Sequence, residues 1–217
     1  MDAAADAVIF VLAGVNGAGK SSVGGALLRE KKLDYFNPDE VARRIRKTVG
    51  GSIDDANALA WQEGKRRLES AIEARSSYAF ESTLGGNTIP RLLREAAEGG
   101  IPIFVWYTGL ATLEQHIARV RARVASGGHD IPEGMIRQRW NNSRRNLIGL
   151  MPFLTELRVF DNSQEGDPAA GTIPQPRQLL RWREGLIVAP TPEVLATTPE
   201  WAMPIVVQAL KLQRGVR

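Results

Sequence analysis

The chain has 217 residues, 43% of them apolar and 24% charged, which is typical of a globular domain with one sizeable core. It contains no cysteine and two histidines, His116 and His129. This composition excludes disulfides and thiolate metal sites, and it leaves too few ligands for a zinc site without carboxylates. No apolar run approaches the roughly 20 residues of a membrane-spanning helix, and the first residues are acidic where a signal peptide is basic. We therefore expect a cytoplasmic protein with no membrane partner.

The net charge of +4 is concentrated in one segment of the chain. Arg119–Arg145 contains seven arginines and two acids, so this segment carries +5 and the remainder of the chain −1. A local arginine cluster suits a compact polyanion such as a nucleotide triphosphate. Within it, Arg119–Arg139 lacks the interleaved aromatic residues on which bases stack, which argues against a nucleic-acid partner.

Apolar patterning predicts strands that alternate with helices. The expected strands are Ala7–Ala13, Leu33–Phe36, Tyr78–Thr83, Pro102–Tyr107 and Leu157–Phe160. The expected helices are a segment ending near Lys32, one that starts at Pro38 with Asn37 as N-cap, Ser52–Arg75, Ile89–Glu98, Thr112–Ser126, Pro132–Leu147 and Trp201–Leu212. After an irregular loop at Gln164–Pro176, the pattern predicts a hairpin over Arg177–Ala189 that turns at Glu184 and Gly185. This alternation is typical of an α/β protein with a doubly wound sheet.

A glycine-rich loop follows the first expected strand. Gly14–Ser21 matches the pattern G-x-x-x-x-G-K-[ST] in full, between a buried strand and a helix. Glycines let backbone N–H groups converge on an anion, and the following helix N-terminus adds its dipole. We expect Lys20 to reach the β- and γ-phosphates and Ser21 to place its hydroxyl on Mg²⁺. The full set of candidate nucleotide ligands in the loop is Gly14, Asn16, Gly17, Ala18, Gly19, Lys20, Ser21 and Ser22.

The loop predicts nucleotide binding, and two missing motifs narrow the reaction. The chain has no Asn-Lys-x-Asp, which argues against a guanine-specific GTPase, and no apolar strand that ends in Asp-Glu, which argues against a motor ATPase. A kinase remains. The predicted fold is therefore of the P-loop NTPase type, with three layers, a mostly parallel central sheet and a helical lid.

Acidic and hydroxyl residues follow the second and third expected strands. Asp39 is placed to accept the proton of an attacking hydroxyl, and its alternative role is to stabilise the first turn of a helix. Glu81 and Thr83 share one side of their strand. They suit an acceptor hydroxyl or an Mg²⁺-bound water, and the alternative is a capped strand end.

Helical geometry separates the arginines of the basic segment. Arg123 and Arg139 border apolar stripes and are expected to face phosphate, with Arg119 one turn before Arg123. Arg121 points away, and Arg144 and Arg145 are expected to be solvated. The alternative for the whole segment is an exposed basic pair of helices.

The joint between these two helices is rich in glycine. Gly127 and Gly128 precede His129, which either senses a ligand or is structural. Mobility at this joint would suit a lid, at about 117–147, that excludes water from the site.

Taken in order, several of these segments resemble the zeta toxin family. The segments are Gly14–Ser21, Asn37–Glu40, Phe80–Leu84, Arg119–Val124 leading to Gly127–His129, Ile136–Trp140 and Asp161–Ser163. The best-known members phosphorylate the sugar 3′-hydroxyl of UDP-N-acetylglucosamine. The resemblance implies a kinase that uses ATP and Mg²⁺, and a small antitoxin as a separate chain. Ser82 stands where many members have Thr. A substitution at such a position would alter which acceptor the enzyme prefers.

The resemblance also implies roles for individual residues. Asp39 would be the general base, Glu81 and Thr83 would contact the acceptor, and Arg123 and Arg139 would clamp the phosphates together with Lys20. Asn162 would lie near the adenine, with Arg119 on the same nucleotide.

Two alternatives stay open: the same transfer to an antibiotic or metabolite, and a nucleic-acid-stimulated ATPase. We expect residues 1–217 to form a single P-loop kinase domain, with a C-terminal extension at about 164–217.

Overall fold

A computed structural model describes residues 7–25, 35–128, 130–164 and 175–215. Its strands are β1 (Ile9–Ala13), β2 (Tyr35–Phe36), β3 (Tyr78–Ser82), β4 (Ile103–Gly109), β5 (Glu156–Asp161), β6 (Arg177–Arg183) and β7 (Leu186–Ala189). They form one sheet in the order β2-β3-β1-β4-β5-β6-β7. The first five strands are parallel, and β6 and β7 join antiparallel. The predicted α/β fold with a mostly parallel sheet is confirmed.

Seven α-helices are found in the described residues. They are α1 (Pro38–Val49), α2 (Ile53–Glu73), α3 (Thr88–Glu98), α4 (Leu113–Ala125), α5 (Glu133–Leu150), α6 (Pro192–Leu195) and α7 (Met203–Gln213). A π-helical turn covers Ser21–Gly25, and 3₁₀ turns cover Met151–Phe153 and Glu200–Ala202. No helix within the described ranges is both long enough and apolar enough to cross a bilayer.

The N-caps explain where the helices begin. Asn37 accepts hydrogen bonds from the backbone of Asp39 and Glu40, as predicted, and Pro38 occupies the first turn. Ser52 caps α2, and Thr112 forms a capping box with Gln115 at the start of α4. Short polar side chains before an apolar pattern therefore fixed these boundaries locally.

Most of the predicted elements are found, with small shifts at their ends. Strand β4 continues two residues further than predicted, to Gly109, and the C-terminal hairpin is present. Helix α6 was not predicted. The predicted helix towards Lys32, most of the loop Gln164–Pro176 and His129 lie outside the described residues.

The central strand β1 positions the site. It pairs with β3 on one side and β4 on the other, so that Ala13 lies level with Ser82 and Tyr107. The sheet continues from β1 through β3 and β2 on one side and through β4 and β5 on the other, so the strand order reverses at β1. Ligands of open α/β sheets bind in the crevice outside the strand ends at such a reversal. The loop Gly14–Ser21 starts at this crevice.

The C-terminal segment packs onto the same core. Trp201 is 4% exposed, and a Cβ added at Gly109 would come within 2.4 Å of its ring. Ile205 and Ala209 of α7 are fully buried in the cluster that contains Val11 and Val105 of the sheet. The end of β4 is thus covered by residues that follow the arginine segment in sequence by more than fifty positions.

Candidate active site

The backbone of the glycine-rich loop is held against β3 and β4. Gly14 has φ +142°, and a Cβ there would lie 2.2 Å from the carbonyl oxygen of Thr108, so only glycine fits. The Gly14 N–H donates to the carbonyl of Ser82 at 3.2 Å. At the far end, the N–H groups of Ser22 and Val23 both donate to Gly19 as the chain turns into helix. The loop therefore joins a strand end to a helical turn, the geometry that cradles phosphate.

Glu81 sits at the centre of a buried polar cluster beside the loop. It is 8% exposed, and its Oε1 accepts a hydrogen bond from the Ser21 hydroxyl at 2.5 Å and from Asn37 Nδ2 at 3.2 Å. The Tyr35 hydroxyl donates to the same oxygen. Burial, and then the charge of Glu81, raise the pKa of Tyr35 above its usual value, so its hydroxyl stays protonated. The order β2-β3-β1 brings these residues together, because it places the three strand ends side by side.

The oxygens at this cluster fit a magnesium ion. Mg²⁺ prefers hard oxygen ligands and is commonly held by one or two carboxylates together with substrate phosphates. The Ser21 hydroxyl and the Glu81 carboxylate are such donors, in direct contact with each other. In the described part of the chain, no cluster of three or more His, Asp or Glu side chains suggests another metal site.

Asp39 lies in the first turn of α1 and faces α4. Its Oδ2 is 3.2 Å from Nη1 of Arg123 on α4, and the two side chains are 42% and 35% exposed. Its backbone carbonyl accepts from Arg43 Nε at 3.3 Å. The carboxylate is therefore oriented by an arginine and still open to a ligand.

Arg139 reaches from α5 to the phosphate loop. Its Nη1 donates to Oδ1 of Asn16 at 2.8 Å. Its stem lies over Gly85, where an added Cβ would come within 2.6 Å of Cγ. Burial lowers the pKa of Arg139 from its usual value, and the charge of Asp39 opposes that shift. Arg139 and Asp39 therefore lie close enough to influence each other.

Arg119 and Asn162 meet on the opposite side of the loop. Arg119 Nη2 donates to the carbonyl of Asn162 at 2.8 Å, and Asn162 Nδ2 donates to the carbonyl of Ala18 at 2.9 Å. The Asn162 N–H donates to Gly109 at the end of β4. These contacts join the end of β5, α4 and the phosphate loop.

The other predicted site residues are located as follows. Thr83 follows β3, and its Oγ1 accepts from the N–H of Gly85 at 3.3 Å, whereas Glu81 turns to Ser21. Lys20 is partly buried at the end of the loop. Arg121 faces outward and pairs with Glu133 at 2.9 Å, as expected.

The prediction that Arg144 is solvated is wrong. Its guanidinium lies 4.3 Å from the centre of the Trp140 ring, and its Nη1 donates to the carbonyl of Trp201 at 3.2 Å. The stacking pair is four residues apart on α5, where side chains meet on one face of a helix. Arg145 is exposed.

His116 was missed as a site residue. It is fully buried on α4, with Nδ1 2.8 Å from the carbonyl oxygen of Asn16 and its ring against the edge of Trp140. Its position four residues before the buried Val120, on the apolar side of α4, was the signal that could have found it.

The chain matches a family model and known proteins. The model of the AAA_33 family, described as an AAA domain, matches residues 9–147, more than half of the chain. The chain belongs to the AAA_33 family. A protein of Haemophilus influenzae is 33% identical to this AAA_33 chain over 133 residues, 58% of the chain and 88% of that protein. A shikimate kinase of Legionella pneumophila is 39% identical over 64 residues, 30% of the chain and 34% of that enzyme.

Two solved structures share the fold over nearly the whole AAA_33 chain. The AvrRxo1-ORF1:-ORF2 complex with ATP gives a TM-score of 0.63 at 14% identity, over 98% of this chain and 76% of that one. A structure from the PezAT toxin–antitoxin system of Streptococcus pneumoniae gives 0.56 at 11% identity, over 99% and 89%. At these identities the likeness shows a shared α/β fold alone.

Proposed function

We propose that this AAA_33 chain is a zeta toxin-like kinase that transfers the γ-phosphoryl group of ATP to a hydroxyl of a nucleotide sugar such as UDP-N-acetylglucosamine. The observation that carries the proposal is the convergence of one carboxylate and two arginines on one side of the phosphate loop. Asp39 pairs with Arg123 from α4, and Arg139 from α5 reaches the loop at Asn16. A base next to cations that face phosphate is the arrangement phosphoryl transfer needs.

In the proposed reaction the acceptor oxygen forms a bond to the γ-phosphorus as the bond to the β–γ bridging oxygen breaks. Asp39 takes the hydroxyl proton, and ADP carries away the bridging oxygen. Arg123, Arg139 and Lys20 stabilise the charge that spreads over the phosphoryl oxygens. Asn162 and Arg119, on the other side of the loop, are assigned to the nucleoside end of ATP.

Ser21 and Glu81 are the residues that would hold Mg²⁺, the first through its hydroxyl and the second directly or through water. A bound Mg²⁺ neutralises charge on the β- and γ-phosphates. Support comes from the contact between these two oxygens and from the two further donors that fix Glu81.

Glu81→Gln is expected to raise the Mg²⁺ concentration needed for half-maximal turnover by about 10–100-fold, the usual cost of altering a group that orients a metal ligand. The amide keeps the shape of the side chain and loses its charge. A magnesium titration at saturating ATP measures the shift, with Glu63→Gln on α2 as a control for a carboxylate away from the site. An unchanged magnesium requirement would remove Glu81 from the metal site.

A basic cleft next to Asp39 supports an acceptor that carries phosphate. The cleft has a volume of about 300 Å³ and is lined by Arg43, Arg46, Lys47, Ile53 and Gly127. Within the described residues, no ion pair is found for Arg46 or Lys47. Arginine and lysine at the mouth of a pocket favour a phosphorylated ligand over a neutral one. This cleft therefore favours a nucleotide sugar over a neutral antibiotic.

The double variant Arg46→Gln/Lys47→Gln is expected to raise KM for UDP-N-acetylglucosamine by about 10-fold, because charge-assisted contacts to phosphate are lost. KM for ATP should stay within about twofold. Arg44→Gln, which removes an exposed cation of the same helix outside the cleft, is the matched control. Equal effects of the two substitutions would show that the cleft does not read the acceptor's charge.

A small antitoxin as partner and a cytoplasmic location are also part of this proposal. The first is supported by the resemblance to zeta toxins and by the likeness to a structure from a toxin–antitoxin system.

The deciding experiment incubates the protein with ATP, Mg²⁺ and UDP-N-acetylglucosamine and identifies the products by mass spectrometry, with Asp39→Asn as control. A phosphorylated nucleotide sugar from the wild type alone would establish the proposed reaction. ATP consumption without it would point to a different acceptor, to be sought in a metabolite extract. Hydrolysis that DNA or RNA stimulates, with an affinity that falls steeply with salt, would favour the nucleic-acid-dependent ATPase.

A further inference from the structure

His116 makes a buried contact with the phosphate loop from behind. Its side chain is 0% exposed, and Nδ1 lies 2.8 Å from the carbonyl oxygen of Asn16. A carbonyl oxygen only accepts hydrogen bonds, so Nδ1 carries the proton and Nε2 is unprotonated in the neutral ring. Burial lowers the pKa of His116 to about 4, which keeps the ring neutral and this tautomer in place near neutral pH.

Asn16 uses its two oxygens for the two lid helices. Its backbone carbonyl accepts from His116 on α4, and its side-chain Oδ1 accepts from Arg139 on α5 at 2.8 Å. Asn16 is itself only 6% exposed, and its contact with His116 is buried, whereas its contact with Arg139 is partly buried. Holding the backbone of Asn16 in place therefore restricts where its side-chain amide can meet Arg139.

Trp140 completes the connection. It follows Arg139 on α5, and its ring meets His116 edge-on with centroids 5.0 Å apart. Arg144 covers the same indole at 4.3 Å. The part of α5 that carries Arg139 is thus packed, through Trp140, against His116. His116 in turn contacts Asn16, which accepts the hydrogen bond from Arg139.

We propose that His116 is a positioning residue for phosphoryl transfer, acting through Asn16 to hold the Arg139 guanidinium beside the phosphate loop and Asp39. The role given to Arg139 rests on the proposed function. Arginine has a long stem with many rotamers, and a guanidinium that is held in advance loses little freedom when charge develops on the phosphoryl group. Loss of the His116 contact should therefore lower kcat and leave ATP binding almost unchanged.

Two substitutions separate this role from simple packing. His116→Leu keeps the apolar bulk and removes the donor, whereas His116→Asn places an amide N–H close to the position of Nδ1. We expect kcat to fall about 10-fold in His116→Leu, and His116→Asn to stay within about threefold of the wild type. KM for ATP should change less than twofold in both. Equal losses in the two variants would overturn the proposal.

A double-mutant cycle with Arg139→Ala tests the route. If His116 acts through Arg139, adding His116→Leu to Arg139→Ala should cost no further activity. Multiplied losses would overturn it. Should His116→Leu fail to fold in a thermal melt, His116→Phe, which keeps a ring against Trp140 and removes the donor, replaces it with the same expected loss and the same non-additivity.

The slow hydrolysis of ATP by water gives a readout that needs no acceptor. Coupled losses in hydrolysis without any sugar phosphorylation would uphold the role of His116 and reject the proposed acceptor. Sugar phosphorylation, with activity losses of His116→Leu and Arg139→Ala that multiply, would support the proposed acceptor and reject the role of His116.

Discussion

Asp39→Asn is expected to lower phosphoryl transfer by about 10²–10⁴-fold, the usual contribution of a positioned general base, while ATP binds as in the wild type. The amide is nearly isosteric but cannot take the acceptor's proton. It also loses the charge that pairs with Arg123 at 3.2 Å. Single-turnover kinetics and calorimetric titration with ATP measure the two quantities separately.

Glu40→Gln is the matched control for Asp39→Asn. Glu40 is the neighbouring exposed carboxylate in the same first turn of α1, so it stabilises the helix dipole in the same way. If Asp39 served only the helix, both substitutions would lower the melting temperature equally and leave turnover intact. Near-normal turnover in Asp39→Asn would refute its role as base.

Lys20→Ala is expected to weaken ATP binding by about 10–100-fold, because each hydrogen bond to a charged group contributes about 1.5–3 kcal/mol. Lys20 lies at the end of a loop whose backbone is hydrogen-bonded to β3 at Gly14 and to the following helical turn at Gly19. These contacts fix the position of the Lys20 backbone, and so limit where its ammonium group can lie. Isothermal titration with ATP and with ADP measures the loss, which should be larger for ATP if the lysine reaches the γ-phosphate.

Lys65→Ala is the control for charge alone. Lys65 lies on α2, is partly exposed and pairs with Glu69 at 3.1 Å. Its removal changes the net charge by the same amount without touching the loop. An ATP affinity that is equal in both variants would contradict the phosphate role of Lys20.

Local sequence signals predicted the frame of the site. The apolar run that becomes β1, the glycine pattern at Gly14–Ser21 and the cap at Asn37 each depend on neighbours in sequence, and each was found where expected. The apolar stripe that Arg139 borders consists of Ile136, Ser143 and Leu147, and these residues are buried, because helical periodicity indicates which side of a helix faces the core.

The partners of Glu81 could not be predicted from sequence. Alternation along a strand places Glu81 and Thr83 on one side, but it does not say which strand lies next to β3. The sheet order places β2 beside β3, and so brings Tyr35 and Asn37 next to Glu81. The side chains of Ser21, Tyr35 and Asn37 then donate to one carboxylate oxygen. Such clusters depend on tertiary pairing across more than forty residues.

His116 was missed for a similar reason, because its partner Asn16 is one hundred residues away. The error over Arg144 is different, since Trp140 stands four residues before it and the pair was visible in the helical pattern. Charge runs were assumed to be solvated, and an aromatic neighbour on the same face was the signal against that assumption.

Trp201 packs over Gly109 at the end of β4, and this contact limits how far the chain can be truncated from its C-terminal side. The family model ends at residue 147, but a fragment cut to residues 9–147 would remove β5 and leave one side of β4 without a hydrogen-bonding partner. It would also bare Gly109 and the apolar surface now covered by α7. Because Thr108 lies directly against Gly14, the damage would reach the phosphate loop. We therefore expect residues 9–147 not to fold independently, and the unpaired edge of β4 in such a fragment to promote aggregation.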